Sequence, residues 1–266
     1  MYSPGSSIKP ITAAIALENH IAEPDFTIDI QGMNWQKDSS WGNYYITRVK
    51  DPSVPVDMEK AMIYSDNIYF AQLALKIGAE TFLEKARNFG IGEPLSLRYG
   101  VKDSQLANEN RIENDILLAD TGYGQGEVLL NILNLNKAYS AFVNENGIVN
   151  PKLIQDDTDN NPKSIISKEV ADQVYDFLLK VVEDENGTGH DAYIPDKTIA
   201  GKTGTAQVPS ADEPDGLEEL GWFVAIDKSE NTPYITSLMV EQAKNKGGSH
   251  IAVEKVRKFI LDYSGH

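Results

Sequence analysis

The sequence predicts an α+β fold in which an antiparallel sheet is flanked by helices and a helical part precedes the sheet. An apolar helical segment opens the chain, helix-forming segments fill its middle, and three segments of strand composition followed by an amphipathic helix end it. Without an internal repeat or a long linker, a single domain over residues 1–266 is the economical interpretation. Its helical part would cover about 10–190, and its sheet with the last helix about 195–266.

Helix-forming patterns alternate with turn residues along the first two thirds of the chain. The segment 10–17 is apolar nearly all round, which is typical of a helix buried in a core. Residues 19–57 are rich in turn residues and aromatics, so we expect irregular, hairpin-like structure there. Stop and start signals then predict further helices over 58–64, 67–77, 81–89, 131–144 and 168–182. The segment 114–120 is short and apolar.

The last third of the chain changes to the composition of strands. Segments 197–208, 221–228 and 234–241 are predicted strands, and 229–233 suits a tight hairpin between the last two. The acidic segment 210–219 is predicted to be a loop that joins two strands. An amphipathic pattern over 252–263 predicts the closing helix.

Composition excludes several classes of function. A net charge of −16 disfavours nucleic acid and anionic lipid surfaces as partners. The absence of cysteine removes disulfides, thiolate metal sites and cysteine nucleophiles. The four histidines lack ligand spacing, so they are expected to be surface groups, and we predict no metal site. No apolar run reaches the ~18 residues of a membrane span.

A serine and a lysine at the start of the first helix form a candidate nucleophile and base. Pro4 and Gly5 indicate a turn, which places Ser6 at or next to the first helical residue. Lys9 follows three residues later on the same face, so its ammonium can lie beside the Ser6 hydroxyl. Burial would lower the pKa of Lys9 and let it accept a proton. The alternative is a serine N-cap followed by a solvated lysine.

Two further polar elements follow the Ser6 turn in the chain. Ser65 and Asn67 fall at a break between helices, where a hydroxyl can relay a proton and an amide can hold a ligand. The alternative there is an ordinary helix N-cap. The third element, Lys202-Thr203-Gly204-Thr205, lies in a predicted strand and offers one cation and two hydroxyls to a carboxylate. The alternative is an exposed strand with a surface lysine, although Gly204 inside a strand favours a function.

The order of these elements resembles a known family of acyl-transfer enzymes. The patterns S-x-x-K, S-D-N and K-T-G, here beginning at Ser6, Ser65 and Lys202, are shared by penicillin-binding proteins and class A β-lactamases. The stretches 32–42, 65–71, 117–127 and 221–223 look like the catalytic domain of class B penicillin-binding proteins. They are most similar to the low-affinity group of Gram-positive bacteria, which includes methicillin-resistance-type enzymes. The resemblance implies a serine β-lactamase/transpeptidase-like fold.

The resemblance also implies an activity, a peptidoglycan D,D-transpeptidase that needs neither metal nor cofactor. Ser6 would attack the D-Ala-D-Ala carbonyl of a stem peptide, Lys9 would be the base, and Ser65 would relay the proton to the leaving D-Ala. Asn67 would hold the substrate amide. The terminal carboxylate would bind at Lys202, Thr203, Gly204 and Thr205, and the backbone N–H groups of Ser6 and Thr205 would stabilise the oxyanion. β-Lactam antibiotics would acylate Ser6 as mimics of the same dipeptide.

Expected partners are peptidoglycan stem peptides and β-lactams, with cell-wall synthesis proteins as further candidates. The expected location is extracytoplasmic, tethered to the outer face of the membrane. Relative to the family the chain is expected to be N-terminally truncated, without the anchor and the first strands of the sheet. Three alternatives stay open: a non-catalytic penicillin-binding sensor or truncated scaffold, a D,D-carboxypeptidase, and a β-lactamase. The residues Gly187-Thr188-Gly189 are predicted to form a turn, and Trp222 is either core or cleft wall.

Overall fold

A computed structural model gives the structure of residues 1–263, apart from 96, 98–99, 153–161, 210–215 and 230–232, which with 264–266 are left undescribed. The chain opens with a 3-10 turn, Gly5–Ile8, that leads into helix α1 (Lys9–Glu18). Every residue of α1 from Lys9 to Leu17 is buried. The predicted buried helix is therefore confirmed, and the charged Lys9 is buried with it.

The middle of the chain is helical, as predicted. Side chains cap most of these helices, for example Asp66, which accepts hydrogen bonds from the N–H groups of Ile68 and Tyr69. The predicted helix 131–144 ends four residues early, at Ser140. The N–H groups of residues 141–143 bond three residues back, so the chain continues as turns. The helices are α2 (Met58–Ile63), α3 (Asn67–Ile77), α4 (Ala79–Asn88), α5 (Asp115–Gly122), α6 (Ile132–Ser140) and α7 (Lys168–Glu183).

The aromatic stretch between α1 and α2 forms the predicted hairpin-like structure. Two short strands, β1 (Asn34–Trp35) and β2 (Ile46–Thr47), pair antiparallel. The rings of Trp35 and Trp41 meet edge to face within the hairpin. This hairpin forms one wall of the cleft described below.

Three antiparallel strands form the main sheet in the order β3–β4–β5. They are β3 (Ile199–Pro209), β4 (Leu217–Asp227) and β5 (Tyr234–Val240). The prediction of a loop over 210–219 is wrong for its last three residues, because 217–219 extend β4 and pair with 207–209 of β3. Residues 210–215 of that loop, and 230–232 of the hairpin turn at 229–233, lie outside the described residues.

The two faces of the sheet pack against different helices. Successive residues of β4 point to opposite faces. Trp222 and Val224 lie in the larger core, which also contains α1 and α7. Phe223 and Ala225 lie on the other face, against helix α8 (His250–Tyr263). Trp222 is fully buried, which decides its role as core. Within the described ranges, every helix is too short or too polar to cross a membrane.

Candidate active site

A cleft of about 620 Å³ lies between the Ser6 turn, the β1–β2 hairpin and strand β3. Five of the eight predicted site residues line it: Ser6, Ser65, Asn67, Thr203 and Thr205. The other three lie directly behind its surface. Residues from three distant parts of the sequence are thus brought to one site, although their chemical roles remain predictions.

Close backbone contacts fix the turn that presents Ser6. Gly5 has a φ of +52°, and a Cβ there would lie 2.3 Å from the Thr205 carbonyl oxygen. The Gly5 N–H donates to the Gly124 carbonyl at 3.0 Å, and the indole N–H of Trp222 donates to the Ser3 carbonyl at 3.0 Å. Gly204 approaches the same turn, since a Cβ there would lie 2.5 Å from the Pro4 carbonyl oxygen. The absence of a side chain at Gly204 therefore allows the turn that carries Ser6 to pack directly against strand β3.

Lys9 is itself fully buried, and its amine joins a polar network at the floor of the cleft. Its Nζ donates to the Ser65 carbonyl at 2.6 Å and to Asn67 Oδ1 at 2.8 Å, and it lies 3.1 Å from Ser65 Oγ. The ring of Phe70 lies below it, with its centroid 5.6 Å from Nζ. The described hydrogen bonds of the Lys9 amine thus go to the second polar element. The predicted position of this amine beside the Ser6 hydroxyl stays a prediction.

Ser65 lies at the centre of this network. It occupies the break between α2 and α3 with a φ of +54°, which is uncommon for a residue that has a Cβ. Its hydroxyl oxygen lies 3.1 Å from the Nζ of Lys9 and 2.9 Å from the Nζ of Lys202. Asn67 follows as the first residue of α3, and its Nδ2 donates to the Thr47 carbonyl of the hairpin at 2.9 Å. The predicted N-cap at this break is also present, and it is Asp66.

A buried ion pair supports the Ser65 break from below. Asp66 and Arg48 are both fully buried, and Oδ2 of the first lies 3.4 Å from NH1 of the second. Arg48 also pairs with Asp51 at 2.5 Å and donates to the Ile30 carbonyl at 3.3 Å. No sequence pattern indicated Arg48, because only the folded chain places it beneath the break.

Strand β3 contributes the second buried lysine. Lys202 is fully buried, and its Nζ donates to Ser65 Oγ and to the Thr203 carbonyl, the latter at 3.2 Å. Thr203 is only 4% exposed, and its Oγ1 lies 2.7 Å from Oγ1 of Thr188. Thr205 is exposed to the cleft. The alternative of a surface lysine on an ordinary strand is therefore wrong.

Burial changes the proton affinity of both lysines. Burial lowers the pKa of Lys202 to about 7. Burial also lowers the pKa of Lys9 well below its ordinary value, and the nearby charge of Lys202 lowers it further, against the opposing effect of Asp66. A neutral amine within reach of hydroxyl groups can act as a base. The electrostatics thus agree with the base predicted at Lys9.

The cleft has lining residues that the sequence motifs did not indicate. Tyr44 donates its one hydroxyl proton to the Asp120 carboxylate, whose oxygens lie 2.7 and 2.6 Å from the phenol oxygen, and Tyr123 donates to Oδ1 at 2.5 Å. Burial raises the pKa of Asp120, and the two hydroxyl donors oppose the change. His250 lies exposed at the rim and pairs with Asp191 at 2.8 Å. Across the described part of the chain, histidines and carboxylates form no cluster suited to a metal ion.

Comparisons with known proteins agree with the geometry. The family model described as penicillin binding protein transpeptidase domain matches residues 1–261. Penicillin-binding protein 3 of Bacillus subtilis is 44% identical over 97% of this chain, which spans 39% of that relative. Peptidoglycan D,D-transpeptidase MrdA of Haemophilus influenzae is 27% identical over 98% of this chain, which spans 44% of it. The chain therefore spans less than half the length of these curated relatives.

A solved structure supports the fold. The apo transpeptidase domain of penicillin-binding protein 3 from Burkholderia pseudomallei superposes with a TM-score of 0.84 at 20% identity, covering 98% of this chain and 78% of that one. The predicted serine transpeptidase-like fold is thereby confirmed, and the Bacillus relative agrees with the predicted kinship to Gram-positive class B proteins. The chain belongs to the family of penicillin-binding protein transpeptidase domains.

Proposed function

We propose that this chain is a peptidoglycan D,D-transpeptidase domain that forms an acyl ester on Ser6 with D-Ala-D-Ala stem peptides. β-Lactams would acylate the same serine. One observation carries the proposal: the buried amines of Lys9 and Lys202 both contact the hydroxyl of Ser65. This hydroxyl belongs to the same cleft that Ser6 lines. The described hydrogen bonds of the two amines go to carbonyl, amide and hydroxyl oxygens. A purely structural role does not account for this arrangement, because burying two amines together as cations would be costly.

The hydrogen bonds of Lys9 suit a base in its neutral form. A neutral amine has two N–H groups and one lone pair. The Ser65 carbonyl and Asn67 Oδ1 can only accept, so they would take the two N–H groups. The lone pair is then left for a hydroxyl, and it can take the proton of Ser6 as its Oγ attacks the substrate carbonyl.

Ser65 is suited to pass this proton to the leaving group. Lys202 donates to its oxygen at 2.9 Å, so the Ser65 hydroxyl proton is free to point elsewhere. In the acylation step, Ser65 would donate that proton to the departing amine of D-Ala and receive one from Lys9, 3.1 Å away. The bond formed is the Ser6 ester, and the bond broken is the terminal peptide bond.

The groups that would bind substrate lie on both sides of the Ser6 turn. Thr203 and Thr205 offer hydroxyls beside the potential of Lys202, which suits the terminal carboxylate. Asn67 Nδ2, on the opposite wall, would hold the substrate amide. The N–H groups of Ser6 and Thr205 would stabilise the oxyanion, consistent with the contact between Gly5 and the Thr205 backbone. Because its substrate is the cell wall, we place the protein at the outer face of the membrane, with cell-wall synthesis proteins as its partners.

Labelling with a fluorescent penicillin tests the proposal. The wild-type chain should bind one label per molecule and release it slowly, and Ser6→Ala should bind none. Ser7→Ala is the matched control, because the Ser7 hydroxyl is fully buried and donates to the Pro4 carbonyl instead of facing the cleft. Folded wild-type chain without label would refute the assignment, and rapid nitrocefin turnover would favour a β-lactamase. Release of D-Ala without transfer to an amine would indicate a carboxypeptidase.

A further inference from the structure

The segment Gly187-Thr188-Gly189, which local sequence marks only as a turn, borders the cleft. Its three backbone N–H groups are fixed, since Gly187 donates to Asp184 O at 2.8 Å, Thr188 to Ile63 O at 3.2 Å and Gly189 to Val181 O at 3.2 Å. A Cβ at Gly187 would lie 2.1 Å from the Val181 carbonyl oxygen. The position of Thr188 is thus determined by the helices on either side of it.

Thr188 connects two parts of the candidate active site. Its N–H bonds to Ile63, two residues before Ser65, at the end of α2. Its hydroxyl lies 2.7 Å from the Thr203 hydroxyl on β3, and both residues line the cleft. One residue therefore joins the break that carries the proposed proton relay to the strand that would bind the carboxylate.

The hydroxyl pair limits how Thr203 can serve a substrate. Each hydroxyl has one proton to donate and can accept at its oxygen. As the structure assigns the pair, the Thr203 hydroxyl donates to the Thr188 oxygen. When an anion enters the cleft, the Thr203 hydroxyl can turn its proton to the anion while Thr188 donates to the Thr203 oxygen, and each bond in such a chain polarises the next. If the Thr188 hydroxyl is removed, the Thr203 hydroxyl loses the partner that orients it.

We propose that Thr188 is a positioning residue for the substrate carboxylate, acting by orienting the Thr203 hydroxyl towards it. This inference rests on the proposed function and extends its carboxylate site by one residue. It requires the Thr188 hydroxyl, whereas the backbone link to Ile63 is independent of the side chain. The two contributions can therefore be separated by substitution.

Thr188→Val keeps the branched shape and the backbone N–H but removes the hydroxyl, and Thr188→Ser keeps the hydroxyl. We compare the second-order rate constants for acylation by benzylpenicillin and by its methyl ester, which lacks the carboxylate. Thr188→Val should lower the ratio of the two rates about 10-fold, towards the upper end of the value of one hydrogen bond between neutral groups. Thr188→Ser should restore the ratio to within about 3-fold of wild type.

Thr12→Val is the matched control, because the Thr12 hydroxyl makes a bond of 2.8 Å to Gly122 O that is buried outside the cleft. It should lower thermal stability and leave the rate ratio unchanged. An equal slowing of both reactions in Thr188→Val would overturn the inference, and so would an unchanged ratio or a failure of the serine variant to restore it. If the wild type is still acylated in those cases, the proposed function is retained and only the role of Thr188 is refuted. A wild type that takes up no penicillin would refute both the proposed function and the role of Thr188.

Discussion

Replacing Lys202 by methionine should stabilise the fold while it impairs acylation. Burial lowers the pKa of Lys202 to about 7, against about 10.4 for a free lysine, and a difference of one in pKa corresponds to about 1.4 kcal/mol. The buried ammonium therefore costs about 5 kcal/mol at pH values below 7. Methionine fills similar space without charge, but it leaves the Thr203 carbonyl without its 3.2 Å donor and the Ser65 oxygen with Lys9 as its remaining described donor. These losses cost about 1–3 kcal/mol together. The expected net gain is about 2–4 kcal/mol.

Thermal denaturation of both proteins between pH 6 and pH 9.5 measures this gain. The Tm of Lys202→Met should exceed that of wild type by about 5–10 °C at pH 6. Above pH 7 the folded wild type releases the Lys202 proton while the unfolded chain keeps it, so wild-type stability rises relative to the variant. The difference in Tm should therefore shrink steadily as the pH rises towards 10.

Penicillin labelling of the Lys202→Met variant should be slow, because the carboxylate of the penicillin loses the positive charge of Lys202. The pKa of Lys9 should also rise, since the charge of Lys202 is one cause of its lowering. Lys255→Met, at an exposed position on α8, is the control and should leave the pH dependence of Tm unchanged. A Lys202→Met variant that is less stable than wild type at pH 6, or a difference that does not vary with pH, would refute the reasoning.

Two further substitutions test the walls of the cleft. Gly124→Ala should lower the free energy of unfolding by more than the ~1–2 kcal/mol that a left-handed backbone costs alanine, because its Cβ would lie 1.9 Å from Gly5 O. The same clash should displace the Ser6 turn and slow penicillin labelling. Gly92→Ala, at φ +80° with open space around it, should show the backbone cost alone in thermal denaturation. Asp120→Asn should gain stability relative to wild type as the pH rises from about 4 to neutrality, because burial raises the pKa of Asp120. An equal loss of stability in Gly124→Ala and Gly92→Ala would contradict the first expectation. A fall in the stability of Asp120→Asn relative to wild type over that pH range would contradict the second.

Local signals predicted most of the secondary structure. Helix α3 is an example, because Asp66 caps its first N–H groups and Gly78 follows its last residue. The start of β4 was missed for a physical reason. Its first residues, 217–219, are as acidic as the loop before them, and only their pairing with 207–209 makes them a strand.

The partners of the site residues could not be predicted to the same degree. The motif spacing placed Lys9 beside Ser6, since residues three apart share a helix face. In the folded chain its amine also bonds to Ser65 and Asn67, more than fifty residues away, and local spacing does not indicate these partners. Thr188 was missed for the same reason, because a threonine between two glycines has no local pattern that indicates its bond to Thr203. Sequence motifs identified the chemistry, and tertiary packing determined which groups touch.

The energetically unfavourable features described at this site, a left-handed backbone and two buried lysines, meet at Ser65. Ser65 has a left-handed backbone, which disfavours residues with a Cβ. The two fully buried lysines both reach its hydroxyl, and each would be more stable in water. The buried pair of Arg48 and Asp66 holds the break that carries it. Because such strain persists only where the surroundings enforce it, the fold holds Ser65 in one position, as the proposed role of proton relay requires.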